Sequence, residues 1–177
     1  MNARPLWRLD VHALLLIAGV ALSTIVSAGV RQLSIEELAV NAEVIAVGKI
    51  VAVASSWNTE RTQIITRVEL QPEEMLKGVP AGDRISFAQL GGRVGNLGSA
   101  AAETPSFTDG ERVVLFLVPR RNGQLGVMAL FEGKFSVERE PSLGVEMAIR
   151  RTPSSGQILD RVTLETLRSR VLAALGK

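Results

Sequence analysis

The chain has 177 residues, 46% of them apolar and 21% charged, which is a globular composition rather than a disordered one. It contains no cysteine, which excludes disulfides, acylation of an N-terminal cysteine and thiolate chemistry. The formal charge of +2 comes from 20 basic and 18 acidic residues that are interspersed along the sequence. A polyanion binder concentrates its cations on one face, so nucleic acid is not expected as a partner.

Residues 1–12 carry Arg4 and Arg8, and an apolar run follows from Ala13 to Ala28. Val26-Ser27-Ala28 places small or compact residues where a signal peptidase cuts, so cleavage is expected between Ala28 and Gly29. The alternative is an uncleaved anchor. As a helix the run would span about 24 Å, short of a ~30 Å hydrocarbon core, and Ser23, Thr24 and Ser27 weaken it further. The expected organisation is a signal peptide over 1–28 and one domain over 29–177, in the periplasm or the medium, with no stable membrane insertion after cleavage. A domain of that size buries roughly 70% of its unfolded surface and needs no staple.

Leu33-Ser34-Ile35-Glu36-Glu37-Leu38 predicts a short helix, with Ser34 as N-cap, Glu37 closing a capping box and Leu33 against Leu38 as a staple. Val44 to Val53 is rich in β-branched residues and predicts a long, largely buried strand. A turn is expected over 55–58. From Ile64 to Leu70 the alternation of Ile64, Thr66, Val68 and Leu70 with Ile65, Arg67 and Glu69 has the period of a half-exposed strand. Pro72 to Gly78 is either one helical turn or the bulged end of that strand.

Pro80-Ala81-Gly82-Asp83 is a turn signal, followed by a strand over 84–90 with Ile85 and Phe87 on one face. Residues 91–109 show no periodicity. Val113–Val118 predicts another buried strand, and Asn122-Gly123 predicts a hairpin returning through Leu125–Leu130. Phe135 with Val137, then Val145, Met147 and Ile149, mark two more strands, and Pro153-Ser154-Ser155-Gly156 breaks the pattern. A C-terminal amphipathic helix over about 163–176 places Leu164, Leu167, Val171, Leu172 and Leu175 on one face. Arg168, Arg170 and Lys177 fall in or beyond its later turns, where cations suit the helix dipole. The expected class is mainly β, a closed barrel of five to seven strands with its core over about 34–150 and a helix at each end; closing the sheet hides the edges of several Val-rich strands.

The lone histidine, His12, precedes the expected cleavage site, so residues 29–177 contain no His, Cys or Tyr. That excludes a Ser-His-Asp triad and a thiol nucleophile, and it removes the usual zinc ligands, so no cofactor or metal is expected. Two catalytic schemes survive. Paired carboxylates (Glu36/Glu37, Glu73/Glu74, Glu138/Glu140) suit glycoside cleavage, and Lys134 with Ser136 suits acyl transfer. Solvated carboxylates at helix starts, turns and strand ends are ordinary, and nothing in the sequence supplies an oxyanion hole.

Gly91-Gly92-Arg93-Val94-Gly95-Asn96-Leu97-Gly98 lacks the Lys-Ser/Thr of a phosphate loop and the βαβ context of a dinucleotide fingerprint. Long segments without secondary structure are uncommon in compact domains and often functional. Glycine permits close backbone approach, and Val94, Leu97 and Phe107 would supply apolar contacts. Trp57 either closes an end of the barrel or anchors an interface.

The order of several short motifs resembles a group of exported bacterial proteins that are similar to the netrin-like, OB-fold domain of the tissue inhibitors of metalloproteinases. The motifs are the Glu-Glu-Leu helix, Ala-Glu-Val-Ile-Ala-Val-Gly-Lys-Ile at 42–50, Ser56-Trp57, Leu76-Lys77-Gly78, Gly91-Gly92-Arg93-Val94-Gly95, Phe107, Gly110-Glu111, Val114-Leu115-Phe116-Leu117 and Glu132-Gly133-Lys134-Phe135. The resemblance implies an OB-like barrel with flanking helices and a protein partner such as an exported metalloprotease. It departs from the animal inhibitors in lacking their N-terminal cysteine.

The function expected from the sequence is non-catalytic protein binding. The residues expected to carry it are Trp57, Gly91, Gly92, Arg93, Val94, Gly95, Leu97 and Phe107. The alternatives are a carboxylate-based hydrolase and an envelope glycan-binding domain.

Overall fold

A computed structural model describes residues 32–80, 82–101 and 103–177, so the expected signal peptide and its Ala28–Gly29 cleavage site lie outside the described residues. The first element is helix α1 (Ile35–Asn41). Ser34 Oγ accepts from Glu37 N, and the Glu37 carboxylate accepts from Ser34 N, completing the capping box. Leu33 and Leu38 join the same core, as the staple requires.

Five strands close a barrel: β1 (Val44–Trp57), β2 (Ile64–Lys77), β3 (Ile85–Leu90), β6 (Arg112–Pro119) and β7 (Leu125–Val127). The order is β1-β2-β3-β7-β6, with β6 pairing back onto β1, and the β3–β7 step is parallel. This closed, mainly β arrangement is OB-like. A two-stranded hairpin, β4 (Gly92–Val94) and β5 (Leu97–Ser99), stands apart from the main sheet. Beyond β6 the sheet continues through β8 (Lys134–Glu140), β9 (Val145–Arg151) and β10 (Ile158–Thr163), and the chain ends in helix α2 (Leu164–Ala174). Among the described residues no helix is long and apolar enough to cross a membrane.

Two cores explain why β1 and β6 read as unbroken apolar runs. Val44, Ala46 and Ile50 of β1 and Val113, Leu115 and Leu117 of β6 fill the barrel beside Val68, Leu70, Ile85 and Phe87. Ile45 and Val47, with Val114 and Phe116, point the other way into a second core closed by α1, α2 and Phe135. Strands covered on both faces lose the polar half of the alternation.

Two local expectations are corrected, one pair of alternatives is decided, and one strand had no signal in the sequence. The turn after β1 starts at Asn58 and not at Ser55, because the β1–β2 ladder continues to Trp57 opposite Ile64. Of the two alternatives for Pro72–Gly78, the bulged strand end holds: β2 runs on to Lys77, and its ladder with β1 slips at bulges, one of them beside Gly48. A Cβ at Gly48 would overlap the Gln71 carbonyl, so the two backbones can cross there only at glycine. The returning hairpin strand stops at Val127, and residues 128–133 form turns in which Ala129 and Leu130 have φ of 47° and 60°. The stretch from Ile158 to Thr163, whose apolar residues do not alternate, is an edge strand held by its pairing with β9 rather than by its own pattern.

Helix α2 buries Leu164, Leu167 and Val171, and packs Ala174 and Leu175 against the same core. Its last turn contains no cation. Arg168 and Arg170 serve other elements: Arg168 pairs with Glu74 at 2.7 Å, and Arg170 closes on both oxygens of Glu36 at 2.6 and 2.9 Å.

Candidate functional site

The glycine-rich segment is a built structure and not a loose connection. Gly91 N donates to the Ile64 carbonyl at 2.8 Å, continuing the β2–β3 ladder. Gly92 has φ of 134°, and a Cβ there would stand inside contact distance of Thr66 Oγ1 and Ser55 Oγ. Those two hydroxyls are 2.8 Å apart, and Thr66 Oγ1 donates to the Gly91 carbonyl at 2.6 Å. This small polar lock, with Thr66 buried, seats the β4–β5 hairpin on the β1–β2 ribbon. Two side-chain hydroxyls and one carbonyl satisfy each other, so the lock leaves these polar atoms paired.

The turn beside the hairpin is set by Asn58. Its Oδ1 accepts from Thr62 N at 2.8 Å and Gln63 N at 3.1 Å, while its own N–H donates to the Gln63 carbonyl. Between this turn and the hairpin lies a groove of about 360 Å³, walled by Trp57, Ile64, Leu90, Gly91, Leu97 and Ala101. Trp57 is 38% exposed, Leu90 48% and Leu97 61%, so three large apolar side chains face solvent around one groove.

Leu90 also lines an adjoining cavity of about 200 Å³ with Leu130, Val127, Arg120 and Pro105. Leu130 is itself 45% exposed on the turn whose backbone lies in the left-handed region. The result is a discontinuous apolar strip from Trp57 and Leu97 through Leu90 to Leu130.

Of the residues expected to act together, the structure brings Trp57, Gly91 and Leu97 to the groove, with Gly92 beneath it in the lock. Arg93 and Gly95 are exposed at the hairpin tip, where Arg93 Nε donates to the Gly95 carbonyl at 3.2 Å, and Val94 is half-buried. Phe107 lies elsewhere. Its ring meets Phe87 edge-on at 5.2 Å and packs with the barrel core, so it serves packing and not the groove. Leu90 and Leu130 were missed in the sequence. Leu90 ends a strand whose inward face is marked by Ile85 and Phe87, and that alternation alone puts Leu90 outside.

The candidate carboxylates are each engaged. Glu73 pairs with Arg112 at 2.6 Å, Glu74 with Arg168, Glu138 with Arg151 at 2.7 Å, and Glu140 with Arg161. Glu37 belongs to the capping box, and the bond from Arg170 holds the Glu36 carboxyl down at about 2. None of these six acids lines the Trp57–Leu97 groove or the cavity beside Leu90 and Leu130.

Lys134 and Ser136 do converge, on Glu111. Its Oε1 accepts from Lys134 Nζ at 2.7 Å and from Ser136 Oγ at 2.8 Å. Lys134 also donates to the Ser106 carbonyl at 2.5 Å and lies over the Phe107 ring at 4.7 Å. Burial lowers its pKa, and Glu111 opposes that shift. The serine proton is thus directed at a carboxylate and not at a free amine.

No family model matches the chain, and the curated proteins include no match to it.

Proposed function

We propose that this chain is an exported, non-catalytic module that binds another protein through the groove between Trp57 and Leu97. The observation that carries the reading is the exposure of Trp57, Leu90 and Leu97 around one groove whose hairpin wall is fixed by the Ser55–Thr66–Gly92 lock. Apolar side chains gathered on a pre-set frame favour association, because little ordering entropy remains to be lost on binding. Tryptophan is among the residues that carry most binding energy at interfaces. Export rests on the N-terminal segment, with cleavage after Ala28 leaving Gly29 first. An exported metalloprotease is the partner class that the resemblance to inhibitor domains suggests.

A photo-crosslinking residue at position 97 is expected to capture a partner that the same residue at position 143, on a separate turn where Leu143 is 71% exposed, does not. The purified partner should then bind the intact chain at least tenfold more tightly than the Leu97→Arg variant. Equal capture from both positions, or unchanged affinity in the variant, would sink the reading.

A further inference from the structure

Strands β8 and β9 pair antiparallel with Ser136 opposite Ile149. Lys134 and Arg151 lie two positions beyond that last pair, one at the end of each strand. Like charges placed opposite each other on one face of a sheet repel. Both line a cavity of about 310 Å³, together with Ser136, Phe131, Pro105 and Pro153. Burial above all, and the Arg151 charge beside it, lower the Lys134 pKa, while Glu111 opposes the shift.

Two carboxylates temper this repulsion, Glu111 from the cavity wall itself and Glu138 from outside its lining. Glu111 serves Lys134 and Ser136 through the same oxygen, Oε1. Lys134 gives two of its three N–H groups to Glu111 and the Ser106 carbonyl, and no further acceptor takes the third among the described residues. Arg151 pairs with Glu138 at 2.7 and 3.2 Å, but the two side chains are 34% and 51% exposed. A pair that wet contributes little and exchanges readily for another carboxylate.

We propose that the cavity between Lys134 and Arg151 binds a small organic carboxylate, its oxygens between the ammonium and the guanidinium and its apolar body against Phe131 and Pro153. Guanidinium groups receive carboxylates through two parallel N–H bonds, while the Ser136 proton stays on Glu111. The apolar side of the cavity distinguishes an organic acid from an inorganic anion, which would leave that surface uncovered. The site shares no lining residue with the Trp57–Leu97 groove, so it stands or falls independently of partner binding there.

The test is a titration of the purified chain with sodium benzoate, followed by amide chemical shifts, with inorganic phosphate in parallel. Benzoate is expected to perturb Lys134, Ser136, Arg151 and Thr152 saturably, with a Kd of about 1 mM or tighter. Arg151→Gln should weaken it at least tenfold without changing the melting temperature. Arg161→Gln, which removes an arginine from another surface pair, should leave the affinity unchanged. Phosphate should bind at least tenfold more weakly than benzoate. Perturbation that does not saturate, equal affinity in Arg151→Gln, or phosphate binding as tightly as benzoate would each overturn the proposal.

Discussion

The guanidinium of Arg150 is closed on the carboxylate of Asp160, Nε to Oδ2 at 2.6 Å, with only 3% of the arginine side chain exposed. Its Nη2 also donates to the Leu33 carbonyl at 2.8 Å, and its Nη1 lies 3.5 Å from Glu132 Oε2. Glu132 in turn accepts from Leu33 N at 2.6 Å. One buried charge therefore ties β9 to β10, to the 128–133 turns and to the chain entering α1. Asp160→Ala leaves that charge half-satisfied in a dry site and should cost about 3 kcal/mol, read by chemical denaturation. A loss under about 1 kcal/mol would mean that Glu132 and the Leu33 carbonyl suffice for Arg150.

The hairpin lock makes Gly92 irreplaceable in a way Gly98 is not. Gly92→Ala forces a methyl group into Ser55 and Thr66 at a φ that L-residues avoid, and should cost about 1–3 kcal/mol. Gly98→Ala meets no atom within contact distance and has no positive φ, so it should change stability by less than about 0.5 kcal/mol. Thermal unfolding of the two variants, with Trp57 fluorescence as the local reporter, separates the outcomes.

Trp57 and Leu97 are exposed, so their removal should be felt in binding and not in folding. Trp57→Ala and Leu97→Arg should each leave the melting temperature within a few degrees of the parent while weakening partner binding at least tenfold. Phe107→Ala should show the reverse, losing about 2–3 kcal/mol of stability through its contact with Phe87, because its ring is spent on the core.

Glu36 and Arg170 join α1 to α2, and their pair carries a pH signature. The arginine bond holds the Glu36 carboxyl at about 2 against an ordinary 4.5, so its contribution is complete above 4.5 and disappears as pH falls through 2. The carboxylate is 45% exposed, and solvent screens the pair to about 0.5–1 kcal/mol. Glu36→Gln should lose that amount at pH 7 in low salt, lose progressively less as the pH falls from 4.5 through 2, and lose less in 1 M salt, as measured by denaturant midpoints.

Much of the fold was legible because its signals are local. Ser34 and Glu37 define a helix start within four residues. The β-branched runs of β1 and β6 announce buried strands, and Asn122-Gly123 announces the turn between β6 and β7. The end of β1, the β4–β5 hairpin and β10 were not legible, since each is held by a partner remote in sequence or by a single close approach. Trp57 belongs to a strand because Ile64 faces it, and Ile158–Thr163 becomes a strand because β9 offers an edge.

The sequence by itself determined the class of the fold, the two flanking helices and the absence of His, Cys and Tyr beyond residue 28. Periodicity, capping and composition are properties of neighbours along the chain, and they need no tertiary partner to be read. Only the tertiary structure decided which exposed apolar residues share a groove, which arginine holds which glutamate, and that Phe107 turns inward while Leu90 turns out. Those outcomes depend on closing the barrel, where the parallel β3–β7 contact and the return of β6 onto β1 bring together residues far apart in the chain. Contacts of that kind are selected by burial and charge pairing across the whole domain, and no window of sequence contains both partners.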